Sequence, residues 1–179
     1  NCFAAIWLMG ALAFFFIAAA TSAAEVTYPG DSKATSPFGV LDSFFAGASL
    51  SGNTVAVTGG TIAGEVSGGI VNGAGIVRDN TVVISGAPAI GGIVSGGRTV
   101  SGDAVGNTVT IGGGNLANFV RGGQTVSGKA LSNTVTLNGG GITGAMSSLQ
   151  GGYSLSGEAS NNTVRLYGGS VSRSAVGGQ

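Results

Sequence analysis

The sequence predicts an all-β chain: a parallel β-helix, or β-solenoid, of rungs about 27 residues long, preceded by an N-terminal hydrophobic helix. Three observations predict it. One phrase recurs five times, as NTVAVTGG from Asn53, NTVVISGA from Asn80, NTVTIGGG from Asn107, NTVTLNGG from Asn133 and NTVRLYGG from Asn162. These starts lie 27, 27, 26 and 29 residues apart, a period that belongs to stacked repeat units. The composition agrees. The 36 glycines come with only three prolines and no strict Gly-x-y period, which excludes collagen, and a hydrophobic share of 43% argues against disorder. Val, Ile and Leu interleaved with Gly, Ser, Thr and Asn favour short strands joined by tight turns.

Each unit divides into three segments. The first carries apolar residues two apart, on one face of a strand: Val55/Val57, Val82/Ile84, Val109/Ile111, Val135/Leu137 and Val164/Leu166. The second, after a glycine turn, carries Ile62 and Val66, Ile90 and Val94, Leu116 and Val120, and Ile142 and Met146. The third reads VSGDA from Val100, VSGKA from Val126 and LSGEA from Leu155. Such short strands bury their apolar faces only when stacked at the ~4.8 Å strand spacing, which gives a three-sided coil. Gly128 and Ala130 are small enough to leave room for larger residues of the other segments, and the Gly-Gly pairs are expected to supply positive φ at the corners. Arg173, standing where other repeats have Gly64, Gly92 or Gly144, predicts an irregular last rung.

Asparagine opens every phrase. Asn tolerates the left-handed conformation, and its amide both donates and accepts. Asn53, Asn80, Asn107, Asn133 and Asn162 are therefore expected to form a structural corner or a hydrogen-bonded ladder, with a ligand-binding row as the alternative.

Ahead of the repeats (53–179, the last incomplete) lie two further regions. Residues 1–24 hold an uncharged, apolar stretch from Cys2 to Ala20, long enough for a helix to span a bilayer, and end in Ser22-Ala23-Ala24, which suits signal-peptidase cleavage before Glu25. They read as a signal peptide truncated at its start, since an initiator Met and a basic n-region are missing, or as a retained anchor. Cys2 stands at the start of this apolar stretch and not after it, as a lipoprotein cysteine would, and a single cysteine makes no intrachain disulfide. Residues 25–52 are a linker or an N-terminal cap. The apolar cluster of Phe38, Val40, Leu41, Phe44 and Phe45 favours the cap.

The composition also limits the chemistry. Seven basic and seven acidic residues give zero net charge, without the basic excess of a nucleic-acid binder. Histidine is absent, which removes the commonest general base and metal ligand. No phosphate-binding GxxxxGK[ST], HExxH, CxxC or Ca²⁺-binding GGxGxDxUx motif occurs. No catalytic residue, cofactor or metal is expected. Asp103, Lys129 and Glu158 share the x of SGxA and should form an outer column of alternating charge, read as a solvated surface ahead of a site. Asp79 follows Arg78, and Arg98 and Gln124 share a second outward position after Gly-Gly.

The pattern NTVxIxGGxIxGxVxGG…SGxAxxNTV over about residues 49–179 resembles the repeats in passenger regions of bacterial autotransporter (type V secretion) adhesins. The resemblance implies a signal peptide, a β-helical passenger and a C-terminal outer-membrane β-barrel. This sequence stops at GGQ inside a fifth repeat, so it is expected to be a fragment with the barrel in a missing C-terminal part. Asn161-Asn162-Thr163 matches a glycosylation acceptor but has little weight in such a protein. The function expected is an exported, structural and adhesive surface module, at the outer membrane or outside the cell, contacting host-cell or matrix ligands or glycans. A passive spacer is the alternative, and a carbohydrate-active enzyme a distant one.

Overall fold

A computed structural model describes residues 25–28, 38–41 and 49–179; the leader, with its expected helix and cleavage site, lies outside them. The described residues form a parallel β-solenoid of about five turns and contain no helix. Every strand pairs in parallel with its counterpart one rung away, as a repeat with a constant hydrophobic pattern requires.

The rung has four sides, where three segments were expected. The NTV phrases form one sheet, from Thr54–Val57 through Thr81–Ile84, Thr108–Ile111 and Thr134–Leu137 to Thr163–Leu166. A second long-stranded sheet, here the glycine sheet, runs through Val66–Val71, Val94–Thr99, Val120–Thr125, Ser148–Ser154 and Ser174–Gly178. Two sheets of two-residue strands close the coil, one containing Thr61–Ile62 and one containing Ala104–Val105. The second expected segment therefore splits. Ile62 and Val66 both point inward, but the bend at Ala63-Gly64 puts them on different sheets. In the third, the strand begins only at the alanine, and Val100, Val126 and Leu155 lie exposed on the corner.

At the N-terminal end the stack begins before the repeats. Glu25–Tyr28 pairs with Thr54–Val57, and Phe38–Leu41 with Val66–Val71, so these segments add to both long sheets.

Along the NTV strands exposure alternates, with the apolar pair sealed. Val55, Val57, Ile62 and Val66 and their equivalents stack into one aliphatic cluster. Burying each such side chain contributes on the order of 1.5–3 kcal/mol, and one rung alone could bury none of them. The repeat falters at Met146, which is exposed; Leu149 takes the core position opposite Val120. Seven positions separate Ile142 from Leu149 where four separate Leu116 from Val120, which accounts for the long 29-residue period. Despite Arg173 the last rung keeps register, with Val171 on Ile142 and Ser174 on Ser148. The arginine points outward and donates to the Ala145 carbonyl of the enlarged corner (3.2 Å).

The Gly-Gly pairs do two different jobs. Those after NTV turn the corner with positive φ, as at Gly60 (81°) and Gly140 (84°). Those of the glycine sheet lie within strands and have no positive φ, contrary to the expectation. They are glycine because the asparagine column stands against them. A Cβ at Gly97 would lie 2.6 Å from Asn107 Oδ1, and one at Gly123 would lie 2.5 Å from Asn133 Cγ.

Candidate functional site

Asn53, Asn80, Asn107 and Asn133 are buried, stacked one per rung. Each Nδ2 donates to Oδ1 of the next asparagine along the chain, from Asn53 to Asn80 (2.9 Å) and onward to Asn162 at 3.0 Å per step. The backbone N–H of each donates to the same oxygen. The second Nδ2 proton of Asn80, Asn107, Asn133 and Asn162 goes to a carbonyl of the preceding rung: Leu50, Val77, Ala104 and Ala130. In Asn80, Asn107 and Asn133 this satisfies both donors and both lone pairs of the amide, which is what burial demands. The left-handed corner falls one residue earlier than the asparagine, on Gly52, Asp79, Gly106, Ser132 and Asn161. A second polar column, of hydroxyls, lies inside the neighbouring corner, at the other end of the short strands that include Ala104–Val105. Thr99, Thr125 and Ser154 donate to Gly75, Gly102 and Gly128 carbonyls one rung back and accept from the N–H three residues on. With their hydrogen bonds filled, Asn80, Asn107 and Asn133 offer a ligand no free group.

The structure brings Asp103, Lys129 and Glu158 together at the outer corner, but only in solvent-accessible contacts. Lys129 N–H donates to Asp103 Oδ1 (2.8 Å), and Lys129 Nζ lies 3.5 Å from Glu158 Oε2, with both side chains more than half exposed. The Glu158 carboxyl is held below its ordinary pKa by the Ser160 hydroxyl and by Lys129. Arg98 and Gln124 are paired neighbours on the outer face of the glycine sheet. Arg98 is ion-paired to Glu65 (2.8 Å), while Gln124 Oε1 is buried without a hydrogen-bond partner among the described residues. Burial raises the Glu65 pKa, with Arg98 opposing the rise.

The arrangement best suited to a ligand lies farther along that face. There the enlarged corner at residues 143–147 overhangs the sheet beside an open cleft of about 620 Å³. Ser147 pins the corner by donating to the Ile142 (3.2 Å) and Gly144 (2.6 Å) carbonyls, and Met146 projects from it into solvent. Arg121 lies at the floor of the cleft, only 7% exposed. Its guanidinium carbon is 4.5 Å from the centre of the Phe119 ring and 4.0 Å from that of Tyr153. Its Nε donates to Gln150 Oε1 (2.6 Å), and Gln150 in turn donates to Gln179. Burial lowers the Arg121 pKa, opposed by Tyr153, yet a guanidinium keeps its charge.

Sequence reasoning missed Arg121 because attention went to positions that recur. Its signal was the opposite: serine occupies this position as Ser67 and Ser95, then Arg121 and Gln150 replace it. A second signal was the long fourth period. Among the described residues no group of His, Cys, Asp or Glu has the makings of a metal site. Comparison with protein-family models, curated proteins and solved structures finds no match to this chain.

Proposed function

We propose that the chain is an exported bacterial surface protein, with the solenoid as a structural and adhesive passenger portion of an autotransporter-like protein. One observation supports it above the rest: an interior that repeats rung after rung underlies a glycine-sheet face whose outward side chains do not repeat. The interior makes a stiff rod, and the less buried residues of the face, Arg98, Gln124 and Tyr153, are the contact groups along it. Many weak contacts spaced one rung apart gain strength through avidity. The apolar leader and Ser22-Ala23-Ala24 support export, and the stacked parallel rungs support a passenger role. The partners in this reading are host-cell or matrix ligands or glycans, with a β-barrel in a further part of the protein as the route to the surface. The role is contact without turnover. A lyase or hydrolase needs acids and bases with separated pKa values converging on a recess, and the Asp103, Lys129 and Glu158 column lies in solvent.

The test is attachment. The chain displayed on a non-adherent bacterium should raise binding to host cells, matrix or glycan arrays above that of the bare carrier. Attachment no better than the carrier shifts the assignment to a passive spacer. Depolymerisation of an acidic polysaccharide, lost in Asp103→Ala or Lys129→Ala, shifts it to an enzyme.

A further inference from the structure

We infer that the cleft over Arg121 is a binding site for a carboxylate-bearing sugar, a uronic acid unit of an acidic glycan. The inference deepens the adhesive reading and rests on it only for the ligand's natural source; the site itself is argued from its geometry.

Arg121 is the central observation. It is a buried cation without an ion-pair partner among the described residues. Its one hydrogen bond to them uses Nε, so the edge carrying Nη1 and Nη2 is left open, and neither nitrogen is sealed from solvent. That edge matches the two oxygens of a carboxylate, the planar pairing for which guanidinium is suited. Desolvating a guanidinium is costly, and here the side chain is held in place by two rings and Gln150 before any ligand arrives. Such preorganisation is expected of an anion site and serves no evident purpose in the stack, since Ser67 and Ser95 fill the same position in earlier rungs.

The surroundings select the rest of the ligand. No Asp or Glu lines the cleft, and Arg173 adds a second positive charge at its edge. The other polar lining is neutral, including the exposed Ser172 and Ser174 hydroxyls and the Gln179 amide, groups that pair with sugar hydroxyls. Phe119, Tyr153 and Met146 offer apolar surface for the C–H faces of a pyranose. The volume lies within the range of small-ligand sites and exceeds what a simple ion needs. An acidic peptide shares the charge but would leave much of the hydroxyl and amide lining unanswered.

The test is a calorimetric titration of the purified full chain with tri-galacturonate at low salt, beside its carboxyl-reduced neutral homologue and tri-glutamate. Saturable binding of tri-galacturonate, at least tenfold tighter than either comparator, is expected. Arg121→Met, which keeps an apolar chain between the rings, should weaken it at least tenfold with the circular-dichroism spectrum unchanged. If that variant fails to fold, Met146→Glu provides the same test from a 62% exposed position and should also weaken binding at least tenfold. Lys129→Ala, at the outer corner, should leave it unchanged. Equal binding of the neutral sugar or of tri-glutamate overturns the inference, as does full affinity in Arg121→Met or Met146→Glu. No binding of tri-galacturonate together with persistent attachment in the display assay removes the cleft and leaves the adhesive reading standing. Binding without attachment does the reverse.

Discussion

The two long sheets of the solenoid carry their repetition differently. On the NTV sheet the inward pair is aliphatic in every rung and one outward column, Thr54, Thr81, Thr108, Thr134 and Thr163, repeats as well, while the second runs Ala56, Val83, Thr110, Thr136 and Arg165. On the glycine sheet the inner glycines repeat, while the outward residues run Ser67, Ser95, Arg121, Gln150 and Val176 in one column and Ile70, Arg98, Gln124 and Tyr153 in the next. Inward positions are fixed by what stands opposite them, a valine column or an asparagine amide. Outward positions are fixed only where strand propensity is the sole demand, and threonine meets it. The glycine sheet has its shape set from inside by the asparagines, so its outer surface is free to specialise.

Gly123→Ala should give the largest effect. The new methyl would meet Asn133 at 2.5 Å, and the loss is expected to exceed about 3 kcal/mol in urea denaturation. Gln124→Ala, next in the strand but outward, is expected to cost far less, and similar losses for the two would break the division between faces. Asn107→Ala comes next. It strips the acceptor from the N–H and Nδ2 of Asn80 and one of the two donors from Asn133 Oδ1, since the backbone N–H of residue 107 stays, at a cost of about 3 kcal/mol. Thr110→Ala, outward on the same sheet, should stay within about 0.5 kcal/mol.

Glu65 sharpens the comparison through pH. Its folded pKa is raised by burial, with Arg98 opposing. A raised pKa means that its contribution is fully present below the unfolded pKa and is lost as pH rises through the folded value. Wild type minus Glu65→Gln should therefore gain stability as pH is lowered from about 7 to about 4. A difference that is flat on acidification would show that the ion pair cancels burial, and one that falls would show that it outweighs burial. The smallest effect belongs to the outer corner, where Lys129→Ala should leave the melting temperature unchanged, because exposed pairs contribute little.

The parts legible in the sequence were those with a period. Val55/Val57 and their equivalents placed the core and the NTV sheet, because alternation and recurrence specify the same face. The fourth side was not legible: a bend at Ala63-Gly64 leaves Ile62 and Val66 both inward, so spacing alone does not show the change of sheet. Met146 was misplaced for the same reason, since counting four from Ile142 ignores three extra residues. Arg121 was illegible as a site because a single arginine acquires its meaning from Phe119, Tyr153 and Gln150, and the last two come from the neighbouring strand.

The asparagine column has one more consequence. Every link in it runs the same way, from an amide to the identical amide one period later, so each junction between rungs is interchangeable with the next. Length is then an editable property of the molecule. Excising residues 80–106 would bring Asn53 onto Asn107 with the same donors and acceptors, Val55 onto Val109, Ile62 onto Leu116 and Val66 onto Val120. The expected product is a shorter rod that still folds cooperatively and keeps the cleft, measurable as a retained β-sheet spectrum and an unfolding slope reduced in proportion to the surface removed. A chain joined in this way can lengthen or shorten by whole periods, and its reach can change without a new fold.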